Sequence, residues 1–377
     1  MNKLKVIYII DEYGVGGTER QLELLLRNID KAKFTPILIT LRRSETVVPD
    51  DLGCDAYSLN VNKIFGLKGI SEIMHGIALV KRLQPDIIQS FFIDSAILAV
   101  IIGKALRVKC TITSRRDLGY WYTKKTLFLM KLLNSFTDKI LVNSNAIKQN
   151  IEEKESVRQD KIQVIHNGID KILDVETIQH YKRLHKEKLN IDRSVKVVGI
   201  VSNLNRNVKR VDIFVRAAIK YLKNNDDTVF LVIGEGHLKD DLIKLAQKEV
   251  ESNKIRFLGS VNNPIELTCC MDIAVNSSET EGFSNSVIES MAHLACTVAS
   301  NNPGNAELVK DKKTGWLFDV NDVKGLSDTL SYLLENDEVR ARLAESARNE
   351  VLEKYSLQSM IKNHENFYMN TVPGKNV

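Results

Sequence analysis

Two glutamates, Glu281 and Glu289, stand eight positions apart in the segment SETEGFSNSVIES (278–290), with Gly282, Phe283, Ser284 and Asn285 between them. The preceding residues IAVNSS read as a strand and NSVIESMAHL as a helix, so 278–285 is the loop at the strand's carboxyl end. A helix starting near Ser286 places Glu289 in its first turn. Ser286-x-x-Glu289 has the spacing of a capping box, in which both side chains satisfy unpaired backbone N–H groups. That reading leaves Glu281, Gly282 and Asn285 unexplained. A glycine-containing loop feeding a helix presents backbone N–H groups and the positive end of a dipole, which suits phosphate. A carboxylate repels phosphate but accepts hydrogen bonds from two vicinal hydroxyls. Loop and carboxylates together suit a ligand with both a diphosphate and sugar hydroxyls, a nucleotide sugar.

The elements that must position such a loop follow from the rest of the chain. Its 377 residues exceed one ordinary domain, and 44% hydrophobic against 27% charged residues is the balance of a soluble protein with a full core. A net charge of +5 favours anionic ligands or an anionic membrane surface and is no nucleic-acid signature. The five cysteines, Cys54, Cys110, Cys269, Cys270 and Cys296, form no C-x-x-C pair, which indicates a reducing compartment, no zinc site and no disulfide framework. The opening residues lack the pattern of a signal peptide, and the apolar run 95–103 is far shorter than the ~20 residues that span a bilayer. The chain is therefore expected to be cytoplasmic, soluble or peripheral at the inner membrane face.

Apolar strands alternate with amphipathic helices. KVIYII ends at Gly14, Gly16 and Gly17 and leads into TERQLELLLRNI; FTPILITL, DIIQSFF, CTITS, KILVNS and IQVIHNG follow as strands, with SAILAVIIGKAL as a buried helix. After a charged stretch the pattern restarts with VKVVGIVSN, VFLVIGEG, IRFLGS, IAVNSS and TVASNN as strands. Uniformly apolar strands separated by helices indicate parallel sheets covered on both faces. The expectation is α/β, with two Rossmann-like doubly wound parallel-sheet domains facing a cleft: residues 1–170, a linker at 171–194, and 195–355 as the nucleotide-sugar domain. Ligands of such sheets bind beyond the strand carboxyl ends.

These residues resemble a known family. The Glu-x7-Glu arrangement, followed by Glu307 in NNPGNAELV and by GWLF, is similar to the donor-site signature of the retaining glycosyltransferases of family 4 (glycosyl transferase group 1), of GT-B fold. GVGGTERQ (14–21), VIHNGID (164–170), NLNRNVKRVD (203–212), LVIGEG (231–236) and RFLGSV (256–261) resemble, in order, the family's glycine loop, the end of its first domain, its phosphate loop and its donor-base region. The resemblance implies that Glu289 holds the donor ribose and Glu281 the transferred sugar. Backbone amides of Gly282, Phe283, Ser284 and Asn285 meet sugar and phosphate. Lys209 and Arg206 clamp the diphosphate, with Asn203 in the same loop. Gly16 and Gly17 admit the first-domain backbone, and Gly234 and Val261 lie near the base. It further implies retention at the anomeric carbon, no cofactor and no required metal, and a helix at 356–377 returning to the first domain. The acidic pairs Asp226-Asp227 and Asp240-Asp241 read as solvated charge.

The chain departs from the family pattern in places. Leu294 and Cys296 stand where members usually have Gly and Pro, which predicts an altered turn. Arg206 lies three residues before Lys209, where five is common. The acceptor zone carries Asp94, Ser114, Arg115 and Arg116 and no histidine. His166 reads as structural, and His237 as bordering the base or entering a helix. Gly14-x-Gly16 is not completed as a dinucleotide fingerprint, because Glu19 occupies the third glycine position. A GT-B nucleotide-sugar epimerase and a catalytically silent sugar-nucleotide-binding subunit remain as alternatives. RRDLGYWYTKKTLFLMKLL (115–133) reads either as an ordinary helix with a solvated basic face or as a surface resting on anionic lipid, receiving a glycan or lipid-linked acceptor. UDP is the expected nucleotide by family frequency.

Overall fold

A computed structural model of the chain describes residues 3–14, 16–43, 48–61 and 67–372. Val15 of the glycine loop and residues 373–377 of the expected terminal segment lie outside the described residues. The chain forms two compact units, residues 1–168 with 357–377, and residues 169–356.

The first unit is built on seven parallel strands: β1 (Leu4–Ile10), β2 (Phe34–Thr40), β3 (Asp55–Ser58), β4 (Ile87–Ser90), β5 (Cys110–Arg115), β6 (Lys139–Val142) and β7 (Ile162–Val164). Their order is β3-β2-β1-β4-β5-β6-β7. Every residue of β1 except Lys5 is buried, because helices cover both faces and leave no side for alternating polar residues. The edge strand β3 is the exception: DAYS is largely exposed and carries no apolar run, so periodicity does not reveal it.

The helix Leu357–Thr371 belongs to this unit. Met360, Ile361, His364, Phe367 and Tyr368 form its buried stripe. Tyr368 packs edge-on against Tyr8 and Phe34, with ring centroids 6.3 and 6.0 Å apart, and its hydroxyl donates to Gln89 Oε1 at 2.7 Å. His364 in that stripe is 3% exposed and shares a 3.0 Å hydrogen bond with the Met360 carbonyl through Nδ1, while its Nε2 is buried with no hydrogen-bond partner among the described residues. Burial, helped by the Arg116 charge, lowers its pKa from 6.5 to about 4. The folded protein therefore binds a proton at His364 less readily than the unfolded chain. Its stability contribution is complete above about pH 6.5 and is lost as pH falls towards 4, with a ceiling of about 3 kcal/mol. Thermal melts of His364→Leu are expected to show a shallower loss of Tm than the parent between pH 6.5 and 4.5; parallel curves would contradict this.

The second unit holds six parallel strands: β8 (Lys196–Val201), β9 (Thr228–Ile233), β10 (Ile255–Gly259), β11 (Ile273–Asn276), β12 (Cys296–Ser300) and β13 (Trp316–Phe318), in the order β10-β9-β8-β11-β12-β13. The expected linker 171–194 is instead mostly the helix Val175–Lys188, capped by the Asp174 side chain and packed on Pro264–Thr268. Its buried contribution is slight, chiefly Ile178 and the stem of Lys186, so the sequence there looks like a solvated connection. The chain leaves the first unit at Gly168, whose backbone N–H and carbonyl are both held by the Gln21 side chain at 3.0 and 2.9 Å. In the second unit, Ile169 bridges Ser356, and its N–H donates to the Tyr355 carbonyl at 2.9 Å. Among the described residues no helix is long and apolar enough to cross a membrane.

Candidate active site

In the second sheet the strand order reverses between β8 and β11, the point where loops diverge and ligands of such sheets bind. The loop after β8 carries Asn203, Arg206 and Lys209; the loop after β11 carries 277–284. The two are stitched together. Ser277 Oγ donates to the carbonyls of Lys209 and Arg210 at 3.1 and 2.8 Å, and the Glu279 N–H to that of Val208 at 2.8 Å. Lys209 Nζ thereby sits 2.7 Å from Glu281 Oε1. The same oxygen accepts from Ser278 Oγ at 2.7 Å and Asn276 Nδ2 at 3.4 Å. Both members of the pair are largely screened from water, with side chains 23% and 10% exposed. Two residues 72 positions apart, singled out from the sequence, thus meet at the switch point.

The neighbouring cations have different fates. Arg210 lies in the left-handed region (φ 46°), closing the turn Asn207–Lys209 and starting the helix Val211–Leu222; its guanidinium is held by both Asp212 carboxylate oxygens at 3.0 and 3.1 Å. Arg206 is exposed, with no side-chain partner among the described residues. Asn203 is exposed and folds back on its own loop, accepting from the Asn205 N–H at 2.8 Å. The loop after β9 fits directly beneath. Gly234 and Gly236 have φ of 138° and 154°, and a Cβ on either would meet the backbone of Ser202 (1.8 Å) or Leu204 (2.3 Å). Only glycine permits that approach. His237 borders the same loop, its N–H donating to Asn205 Oδ1 at 2.9 Å. Val261 follows β10, half-buried and packed against the cluster that includes Leu231, Ile233 and Leu267.

The helix Asn285–Ala292 begins one residue before the expected Ser286, with Ser284 as its N-cap, so Ser286-x-x-Glu289 is not a capping box. Ser284 makes no capping hydrogen bond; its Oγ accepts from Asn276 Nδ2 at 3.0 Å. Glu289 lies one turn into the helix, half-buried. Gly282 is buried, and Phe283 anchors the loop by packing edge-on against Tyr355, with centroids 5.7 Å apart. Behind this turn Leu294 adopts φ 62°, the left-handed conformation that glycine would enter without strain.

Sequence reading missed the residue at the centre of this loop. Asn276 contacts Glu281 and Ser284 through Nδ2, while its Oδ1 accepts from the Ser278 N–H and Asn305 Nδ2, both at 3.1 Å. Asn302 caps the helix Pro303–Leu308 and donates to the Ser278 carbonyl at 2.9 Å. The available signal was an asparagine ending the otherwise apolar IAVN. Gly304 packs directly on this loop: a Cβ there would lie 2.2 Å from the Glu281 carbonyl oxygen. Gly304→Ala is therefore expected to displace the 281–282 backbone and lower activity at least tenfold at a stability cost of about 1–3 kcal/mol, read by kinetics alongside melting. Unchanged kinetics would mean the loop position is not critical.

In the first unit the order reverses between β1 and β4. There Asp94 is ion-paired with Arg42, and Asp11 accepts from the Ser95 N–H at 2.8 Å. Burial raises the Asp11 carboxyl above its ordinary pKa. Gly16 is the extended N-cap of the helix Gly17–Asn28, and Gly17 its first residue. The two arginines of the expected acceptor zone part company: Arg115 is the last residue of β5 and Arg116 the first of the loop beyond it, so successive side chains leave the extended chain on opposite sides. Arg115 is 6% exposed and donates to both oxygens of the buried Glu155 (3.2 and 3.1 Å) and to Asn134 (2.9 Å). It is a core ion pair and not an acceptor contact. Arg116 lies over the Phe91 ring at 5.4 Å and donates to Asn167 at 2.7 Å; desolvation lowers its pKa to about 10, so it stays charged at neutral pH.

The family described as Glycosyl transferases group 1 matches residues 181–350, and Glycosyltransferase Family 4 matches residues 15–171. The chain is 26% identical over 230 residues to the poly(ribitol-phosphate) alpha-N-acetylglucosaminyltransferase of Staphylococcus aureus, covering 61% of this chain and 45% of that one. It is 24% identical over 320 residues to the UDP-Gal:alpha-D-GlcNAc-diphosphoundecaprenol alpha-1,3-galactosyltransferase of Escherichia coli, covering 82% and 81%. The crystal structure of Anabaena HepE in complex with UDP has the same fold, with a TM-score of 0.84, 16% identity, and 97% and 100% of the two chains covered. The chain belongs to the group 1 glycosyltransferases of GT-B fold. It spans about half the length of three of the curated relatives it matches, the S. aureus protein among them.

Proposed function

We propose that the chain is a retaining, metal-independent glycosyltransferase that moves a sugar from a UDP-sugar to a glycan or lipid-linked acceptor, in cell-surface polysaccharide or glycolipid synthesis at the cytoplasmic membrane face. The observation that carries this reading is the meeting of Lys209 and Glu281 at the switch point, beside the amino end of the helix Asn285–Ala292. UDP is favoured because HepE was crystallised with it and the E. coli relative is named for a UDP-sugar.

The bond broken joins an anomeric carbon to a phosphate oxygen, so negative charge grows on the leaving diphosphate. Lys209, held by Glu281, and the helix dipole are fixed positive charges beside that group, with the exposed Arg206 on the same loop free to reach it, and they stabilise the transition state more than the ground state. They supply the charge that a divalent cation would otherwise bring. In the free protein Glu281 holds Lys209 in place; the incoming diphosphate takes over the ammonium and leaves Glu281 to accept from sugar hydroxyls. Glu289 accepts from the ribose. Asp11 and Asp94, at the carboxyl edge of the first sheet, are the carboxylates placed for an acceptor. The test is UDP release from a panel of UDP-sugars in excess EDTA, with and without a polyprenyl-diphosphate-linked sugar. Turnover stimulated by the acceptor is expected. Turnover only with added metal, or an epimerised donor as the product, would overturn the reading.

A further inference from the structure

Asn276 is the last residue of β11, and its side chain is fixed in one orientation. The Ser278 N–H can only donate, so its partner at 3.1 Å is the Asn276 oxygen, and Asn305 Nδ2 donates to the same oxygen at 3.1 Å. The Asn276 amide hydrogens are thereby turned onto the loop, towards Ser284 Oγ at 3.0 Å and Glu281 Oε1 at 3.4 Å. Asn305 is fully buried and also donates to Ser300, yet its own Oδ1 has no hydrogen-bond partner among the described residues. Leaving a buried carbonyl unpaired costs stability, so this network holds Asn276 in place at its own expense.

Ser284 is the N-cap of the helix Asn285–Ala292, the position from which a serine hydroxyl ordinarily accepts the N–H two or three residues on. Here it makes no such bond, because its hydroxyl is drawn back to Asn276. The N–H groups of Ser286 and Val287, the two that a serine cap would take, have no hydrogen-bond partner among the described residues. On Glu281 the three donors Lys209, Ser278 and Asn276 all meet Oε1, and Oε2 has no partner among the described residues. We propose that Asn276 is a positioning residue for glycosyl transfer. By drawing the Ser284 hydroxyl off its own helix it keeps the first-turn N–H groups open for the donor diphosphate. By holding one oxygen of Glu281 it presents the other to the transferred sugar, and it continues to do so once the diphosphate takes over Lys209. The inference rests on the donor site proposed above.

The experiment is calorimetric titration of the parent chain, Asn276→Leu and Asn276→Leu/Ser284→Ala with UDP and with inorganic pyrophosphate. Leucine keeps the branched shape of asparagine and leaves Asn305 Nδ2 its Ser300 acceptors. In Asn276→Leu the serine is released to cap its helix, and reopening that cap should weaken both ligands about fivefold. In the double variant no hydroxyl competes, so most of the affinity should return, whereas a residue that merely supports the fold would give losses that add. Turnover with a UDP-sugar should fall in Asn276→Leu and stay low in the double variant, because Glu281 has lost its amide donor in both. Parental affinity in Asn276→Leu, or weaker binding in the double variant than in the single one, overturns the inference; recovery of kcat together with affinity overturns its Glu281 half. Pyrophosphate bound with the expected pattern while UDP is not bound would refute the nucleotide reading and leave the inference standing. UDP bound equally by all three chains would do the reverse, and a parent that binds neither ligand would refute both. If Asn276→Leu does not fold, Asn276→Ala with and without Ser284→Ala carries the same comparison.

Discussion

Lys209→Ala is expected to lower the turnover rate roughly 100- to 1,000-fold, the loss of about 3–4 kcal/mol that follows removal of one fixed charge aimed at a developing anion. Donor affinity should fall much less, because the ground-state diphosphate already shares its charge with solvent and with the helix Asn285–Ala292, whereas the leaving-group charge appears only as the bond breaks. The fold should survive. Glu281 keeps Ser278 and Asn276 as hydrogen-bond donors, and the pair is not sealed from water. Equal losses in kcat and in donor affinity, measured by single-turnover kinetics and calorimetry, would make Lys209 a binding residue only.

Arg115→Ala should instead act on stability. Glu155 is 1% exposed and, among the described residues, has Arg115 as its only cation within ion-pair distance; Asn134 and the Tyr122 hydroxyl also hold it. Burial works against ionisation of Glu155, yet Arg115 and these hydrogen bonds together hold its carboxyl below the ordinary value. Removing one member of such a pair strands a buried charge and typically costs about 3–5 kcal/mol. The pH dependence should invert as well. In the parent the folded pKa of Glu155 is depressed, so its contribution is present above the unfolded value and lost as pH falls. In the variant a carboxyl with no cation rises above the unfolded value, so its contribution is present in acid and lost as pH rises. Melting across pH 4 to 8 should show the gap between variant and parent widening with pH. A gap under 1 kcal/mol at neutral pH would mean that the network relaxes without the arginine.

The sequence disclosed this site unevenly, for physical reasons. Glu281 was legible from its place in a glycine-containing loop between an apolar strand and a helix, whereas Lys209 was named only through the family resemblance; their meeting follows from the pairing of β8 with β11, which the sequence does not show. The boundary of the helix carrying Glu289 was misjudged by one residue, because Ser284 and Ser286 are equally good caps in isolation and only the tertiary bond from Asn276 decides between them. Asn276 itself was invisible, since an asparagine ending a strand acquires its role from Asn305 and Ser278, which the fold brings to it. Arg115 misled for a related reason. An arginine doublet after a strand signals charge, but only the burial of Glu155, 40 residues away, reveals that one of the two is internal. The helix Val175–Lys188 passed for a linker because its few buried residues break the periodicity that exposes helices elsewhere.

The central claim, that the carboxyl edge of the second sheet holds a nucleoside diphosphate through Lys209 and Glu289, is tested most directly by calorimetric titration of the full chain with UDP in excess EDTA, alongside Glu289→Ala. The predicted result is binding without metal, weakened at least tenfold by Glu289→Ala while its melting temperature stays near that of the parent. Absence of binding, or binding indifferent to Glu289, would contradict it.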